Sequence, residues 1–404
     1  MQNEVKPLLT AKLTTEPTDF SLVLGGPLYQ LFRRAHLTED TATLLRRRVI
    51  IIALLTWLPL LVLSALKGEL VGGTSAMPFL LDVEVHARYL LAVPLLIATE
   101  VVVHRRLRLV PTQFLERNLI PESAKPRFEA VMASAFRLRD SVLAEVLLVA
   151  FVYGVGLLII WRLYMVIDTN AWYTVPAVTG FRLSPAGMWY AYVSVPLFQF
   201  LLFRWYFRLF IWTRLLWQVS RIDLRLVPTH PDRFGGLGFL SNAAYAFMPL
   251  AVAHGVILCG MIANRIFHLG VPLLSFKPEI AVMVVFVQCL VFAPLLLFAT
   301  QLARAKRTGR REYGTLAERY VRAFDTKWLR GGAPPDEALV GSADIQSLAD
   351  LSNSYEVVRS MRIAPVTRDA IVQLAAATLL PLVPLLLTVM PLEDLLKKLL
   401  GMLF

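Results

Sequence analysis

The hydrophobic positions of this chain fall in long unbroken blocks. They show neither the alternation of a half-buried strand nor the one-sided stripe of a surface helix. A bilayer core takes about 20 mostly apolar residues per crossing helix. Seven blocks approach or meet that length: Val49–Leu66, Tyr89–Val103, Leu143–Ile167, Met188–Phe207, Ala243–Ala263, Ile280–Thr300 and Ala370–Met390. The second is short and contains Glu100. The pattern predicts an all-α, polytopic membrane protein with seven transmembrane helices.

The polar connections orient these helices. Lys and Arg number eight in 104–142, five in 208–242 and twelve in 301–369, against two in 67–88, one in 168–187 and two in 264–279. Rich and poor connections alternate, as the positive-inside rule requires. The N-terminal segment, with Lys6, Lys12, Arg33, Arg34 and the run Arg46-Arg47-Arg48, is expected in the cytoplasm and the C-terminus outside. Lys397 and Lys398 are an exception in a short outer tail.

Four regions follow. Residues 1–48 form a cytoplasmic segment with an amphipathic helix over 20–36, and Thr38-Glu39-Asp40 reads as a further helix start. Residues 49–300 hold six transmembrane helices; the fourth is expected to run on past the membrane, because no Gly or Pro interrupts it before Pro228. Residues 301–369 form a cytoplasmic helical segment, with a basic helix continuing the sixth span to a break at Gly331–Pro335 and a second helix over 343–361. Residues 370–404 hold the seventh span and a short outer amphipathic helix.

Composition narrows the classes. The 404 residues are 57% apolar and 17% charged. Disordered chains are far less apolar, and soluble domains carry about 25% charged residues. The net charge of +12 would suggest nucleic acid in a soluble protein. Here topology accounts for it, and no nucleic-acid partner is expected. The stretch Arg304–Arg330 holds nine Lys/Arg and suits anionic lipid, at about 1 kcal/mol per cation near the surface, while also fixing topology. Cys259 and Cys289 lie in apolar blocks and predict no disulfide framework. No ligand spacing for a metal is present, and no cofactor is expected.

Three features bear on chemistry. Prolines interrupt six of the seven blocks, at Pro59, Pro94, Pro196, Pro249, Pro294, Pro381 and Pro384, and each frees a helix carbonyl. Such carbonyls either line a solute pathway or mark packing kinks. Gln199, His254 and Gln288 fall at similar depth on consecutive spans, which suits a polar pathway, a proton relay or plain interhelical hydrogen bonding. Glu100 and Glu145 near two helix ends would be satisfied by pairing with Arg204 and Arg208, one turn apart on the fourth span, although snorkelling to the interface is the simpler account of the two arginines; Arg162 has Asp168 or Asp82 as a candidate partner.

The connection Val227–Ser241, VPTHPDRFGGLGFLS, is the most distinctive loop. His230, Asp232 and Arg233 supply a base, an acid and a cation, and Gly235, Gly236 and Gly238 let backbone N–H groups approach an anion. A headgroup or phosphate site and a tight structural turn both fit this sequence. THPDRFGGLGFL (Thr229–Leu240) and PLLLTVMPLEDLLKKLLG (Pro384–Gly401) resemble a group of uncharacterised bacterial integral membrane proteins. The resemblance implies a bacterial inner membrane and transfers no functional residue.

Three functional classes stay open. The first is a channel or transporter for an ion or small polar solute along Gln199, His254 and Gln288. Its topology is similar to that of insect odorant and gustatory receptor channels, which implies a homo-oligomer. The second is an enzyme or binding protein for a lipid or phosphate headgroup at the His230–Gly236 loop. The third is a sensor or scaffold reporting through 301–369.

Overall fold

A computed structural model describes residues 21–23, 25, 43–73, 75–166, 170–177 and 180–389, without the side chains of 43–44, 157–166, 177 and 180–181. The expected helix at 20–36 (save 21–23 and 25), the start at Thr38–Asp40, the Arg162–Asp168 pair and the outer C-terminal helix lie outside the described residues.

The described chain is helical apart from one hairpin. The helices are α1 (Thr43–Leu66), α2 (Val83–Glu116), α3 (Lys125–Arg139), α4 (Val142–Val166), α5 (Pro185–Val219), α6 (Gly238–Leu269), α7 (Leu273–Leu329), α8 (Ala343–Ser360) and α9 (Arg368–Thr388). Between α4 and α5, β1 (Thr174–Ala177) pairs antiparallel with β2 (Gly180–Leu183), Thr174 opposite Leu183. Six helices, α1, α2, α5, α6, α7 and α9, are long and apolar enough to cross a membrane. Helix α4 has 25 residues, but its described apolar part, Val142–Gly156, falls short of that length.

Helix α6 is the centre of the bundle. Its most apolar stretch is 67% buried, against 22% for α1 and 28% for α7 and α9. The small residues of α6 make this possible. A Cβ on Gly255 would lie 2.1 Å from the Thr378 carbonyl of α9, so only glycine permits that approach. The exposed apolar faces of the outer helices, Leu54, Leu58 and Val62 on α1 and Val282 and Val285 on α7, are what a lipid-facing surface requires.

The prolines are absorbed by changes of helix type. A π-turn over Ala87–Ala92 precedes Pro94, and another over Tyr190–Ser194 precedes Pro196. Tighter 3-10 turns run over Ala244–Phe247, Ala293–Phe298 and Leu380–Thr388, next to or around Pro249, Pro294, Pro381 and Pro384. Two freed carbonyls find donors on other helices. Pro59 leaves Leu55 O without its helical partner, and Trp189 Nε1–H donates to it at 3.2 Å. Pro196 leaves Tyr192 O free, and the Tyr153 hydroxyl donates to it at 3.4 Å. At these two positions the structure supports a packing role and no pathway lining.

The connections sort into two ends. At one, which carries the β-hairpin, the three Lys/Arg-poor connections meet. Ala76 N–H donates to Asn170 O at 2.9 Å, Lys67 Nζ to Thr174 O at 2.6 Å, and His268 Nε2–H to Leu81 O at 3.1 Å. At the other, the three rich connections meet. Arg225 N–H donates to Leu119 O at 2.9 Å, Arg362 N–H to Arg233 O at 2.8 Å, and Lys306 Nζ to Met361 O at 2.6 Å. These are termed the hairpin end and the basic end.

At the basic end α5 stops at Val219, earlier than the uninterrupted sequence suggests. Gln301 Nε2–H groups donate at 2.7 Å to the carbonyls of Ser220 and Ile222, so a side chain of α7 takes over from the helix ladder. Helix α7 continues the sixth span to Leu329 as expected, ends before Gly331, and packs against α8.

Candidate functional site

Glu100 of α2 is the charged centre of the bundle. It is 6% exposed and accepts from Arg48 of α1 at 2.7 Å and from Arg204 and Arg208 of α5 at 3.3 and 2.8 Å. Arg204 also reaches Glu145 of α4 at 3.6 Å. The Arg208 guanidinium lies over the Trp205 ring, 4.8 Å from its centroid. Three helices are thus joined through the Glu100 carboxylate, and Arg204 links a fourth, α4, through Glu145. The pairing of Glu100 and Glu145 with Arg204 and Arg208 is present, in place of the snorkelling that is the simpler account from sequence. Arg48 is the partner the sequence reading missed, because it ends a basic run that reads as a topology signal. Its signal is position: it is the last cation before the apolar run of α1. Breaking one arm of such a buried pair costs about 3–5 kcal/mol, because the remaining charge is left uncompensated.

The segment Ser21–Val23 closes this cluster from the basic end. Leu22 and Val23 are buried, Arg139 donates to Ser21 O at 2.7 Å, and the His104 ring nitrogen lies 3.0 Å from Ser21 Oγ. The cavity left beside Arg204, Arg208 and Glu145 is about 10 Å³, room for one water at most.

The three polar residues expected at mid-depth each have separate surroundings. His254 is held locally: its Nδ1–H donates to Leu250 O at 2.8 Å and its Nε2 accepts from the Tyr206 hydroxyl at 2.8 Å. Both ring nitrogens of a neutral imidazole are thereby satisfied. Gln288 donates to Ile371 O of α9 at 2.8 Å, and its own side-chain oxygen has no partner among the described residues. Gln199 has a buried side-chain oxygen, likewise without a partner among the described residues, on the side of Gly156, whose Cβ, if present, would lie 2.8 Å from it. Among the described residues no hydrogen bond joins the three. Equal depth fixes height along a helix and leaves azimuth undetermined.

The loop before α6 carries its own anion. Asp232 Oδ1 accepts from Phe234 N at 2.7 Å and Gly236 N at 3.2 Å, and Oδ2 accepts from Gly238 N at 2.8 Å. Gly236, at φ +101°, supplies the turn this wrapping needs. His230 Nδ1 lies 2.9 Å from Asp232 Oδ1 and also accepts from Asp232 N–H at 3.2 Å. Arg233 is exposed, and its carbonyl is the acceptor for Arg362 N–H. Gly235 O accepts from Val227 N–H at 3.2 Å, closing the loop on itself. Two of the N–H groups that the glycines were expected to offer an anion, those of Gly236 and Gly238, are thus occupied by a side chain four to six residues away in the same segment.

Beside the loop, a cleft of about 620 Å³ opens between the basic-end parts of α2 and α6. Arg105, Arg106 and Arg117 line it. The Val227–Ser241 loop supplies one wall, with Asp232, Phe234, Gly238 and Phe239, but its cations come from the distant 104–142 connection, which no motif marks.

Apolar outer faces and proline-adapted helices are the features of a multi-pass α-helical membrane protein, six of whose described helices are of spanning length. No family model matches the chain, and no curated protein or solved structure shows significant similarity to it.

Proposed function

We propose that this chain is a multi-pass protein of a bacterial inner membrane that moves an ion or small polar solute, with the Glu100 cluster as its charged centre. In this reading α4 is a seventh span, the N-terminus and the basic end face the cytoplasm, and the C-terminus lies outside. The meeting of all three Lys/Arg-rich connections at one end supports that orientation. Anionic lipid meets the α7 extension, where Arg304, Arg307, Arg310, Arg311 and Arg319 are exposed and their guanidinium groups make no hydrogen bond or ion pair among the described residues.

The observation that carries the transport reading is the burial of Glu100, Arg204 and Arg208 to 5–6% exposure within helices of spanning length. Charged groups at membrane depth are costly, and where they persist they mark ion and substrate routes. An anion competing for Arg204, or a proton neutralising Glu100, would loosen the joint between α1, α2, α4 and α5. The polar residues at mid-depth are satisfied locally or point to separate helices, so His254 is assigned a smaller part. The test is solute flux or ionic current from purified protein in liposomes or planar bilayers. Wild type is expected to exceed empty membranes, Glu100→Gln to change the rate at least tenfold, and His254→Ala to change it less than twofold. Folded wild-type protein without flux, or flux indifferent to Glu100→Gln, overturns the reading.

A further inference from the structure

We infer that the cleft between α2 and α6 at the basic end is a binding site for a phosphate-bearing anion, separate from the Glu100 cluster and independent of the transport reading. Its volume, about 620 Å³, is that of a small-molecule site. Arg105 and Arg106 stand at its edge, exposed, and their guanidinium groups make no hydrogen bond or ion pair among the described residues. Arg117 is already oriented: one arm donates to Gly236 O at 3.1 Å and its guanidinium lies 5.1 Å from the centroid of the Phe239 ring. A guanidinium held this way loses little freedom when its remaining N–H groups take a ligand oxygen.

The electrostatic balance favours an anion. Three arginines and one aspartate line the cleft, 3 − 1 = +2. The aspartate is Asp232, whose two oxygens are committed to three backbone N–H groups, so they are poorly placed to pair with the arginines. Arginine forks match phosphate oxygens in pairs, and among the described residues no carboxylate pairs with Arg105 or Arg106. Gln113 and Asn242 add amides to the lining, and the Gln113 side-chain oxygen has no donor among the described residues, which suits a ligand that brings a hydroxyl. Leu109, Val110 and Phe239 make the rest of the wall apolar. A glycerol-linked phosphate with the first carbons of its chains fits this lining, and so does a free phosphate at the polar side alone; the shared chemistry is the phosphate group.

The inference is tested on full-length protein in neutral detergent. Native mass spectrometry follows retention of short-chain phosphatidylglycerol against diacylglycerol with the same chains, and calorimetry follows inorganic phosphate. Wild type is expected to retain phosphatidylglycerol over diacylglycerol. Arg105→Gln with Arg106→Gln is expected to weaken that retention at least tenfold. Asn242→Trp, which fills the cleft without removing a charge, is expected to do the same and serves if the double variant fails to fold. Arg359→Gln with Arg368→Gln, two exposed arginines outside the cleft and outside the α7 stretch, is expected to leave the retention unchanged. Phosphatidylglycerol bound without inorganic phosphate identifies a headgroup; binding of both identifies a site that also takes free phosphate. Equal retention of the two lipids together with no phosphate binding overturns the inference, as does retention indifferent to both cleft variants or retention lost with the Arg359 and Arg368 pair instead.

Discussion

At the hairpin end, Asp82 caps α2 by accepting from Val85 N–H at 3.1 Å, and it also accepts from Trp172 Nε1 at 3.0 Å and Asn264 Nδ2 at 2.8 Å. At the basic end, Asp232 gathers three backbone N–H groups as well, all from the six residues that follow it. One aspartate ties α2, α6 and the chain before β1 together; the other shapes its own loop. Asp82 is 3% exposed, and the Asp232 side chain 18%. A cap becomes a keystone when its spare lone pairs reach other elements and water is kept out. It stays a local device when its own loop uses them all. The hairpin end is in this sense closed chemistry, whereas the basic end still carries arginines with no partner among the described residues.

Three changes probe that contrast, in falling order of effect. Asp82→Ala strands buried donors from three elements and is expected to cost about 3 kcal/mol of stability, read as a lower denaturation midpoint in mixed micelles; a loss below about 1 kcal/mol would mean that the hairpin end is held elsewhere. Asp232→Ala is expected to cost about 1–2 kcal/mol, because water replaces part of what the half-buried carboxylate gives. Hydrogen exchange should quicken at Phe234, Gly236 and Gly238 and stay unchanged at Trp172. If protection is lost at both ends, the two aspartates are coupled and the contrast fails. The smallest effect lies beyond the bundle, at the α7–α8 junction. Lys327, first, and then Trp328 donate to Asp344 at 2.8 and 3.0 Å and hold its carboxyl below the usual carboxylate range. A lowered folded value favours the ionised form. This contribution is therefore full at neutral pH and is lost as pH falls through the carboxylate range to Asp344's own value. Exchange across 327–345, corrected for intrinsic rates, should rise slightly at pH 3 relative to pH 7 in wild type and show no such pH step in Asp344→Asn.

Much of the fold was legible because membrane helices declare themselves by length and apolarity, and the charge of the connections told which ones share an end. The Glu100–Arg204–Arg208 joint was legible in part: so few charges lie in the apolar blocks that they name each other as partners, but sequence left snorkelling of the arginines as the simpler account, and their burial decides against it. What was hidden depends on azimuth and on tertiary approach. Gln199, His254 and Gln288 share a height, but Tyr206, an ordinary aromatic in sequence, is what His254 meets. The glycines of 235–238 signalled N–H groups free to turn toward an anion; that Asp232 would be this anion at Gly236 and Gly238 is a matter of loop closure. Asp82 looked like one more acid in a polar connection, and the cleft joins arginines to a wall more than a hundred positions away along the chain.

The carbonyls that Pro59 and Pro196 release have a consequence for how the molecule assembles. A helix such as α1, inserted by itself, would hold Leu55 O bare against hydrocarbon, a penalty of several kcal/mol. The penalty vanishes when Trp189 arrives from the far side of the hairpin, more than a hundred residues later in synthesis. Helix α1 thus enters the bilayer with an open acceptor that the later α5 fills, whereas α5 meets its Tyr153 donor on α4, a helix made before it. Pro59 and Pro196 in this way tie the closing of one helix's backbone to the docking of another, α5 on α1 and then α5 on α4.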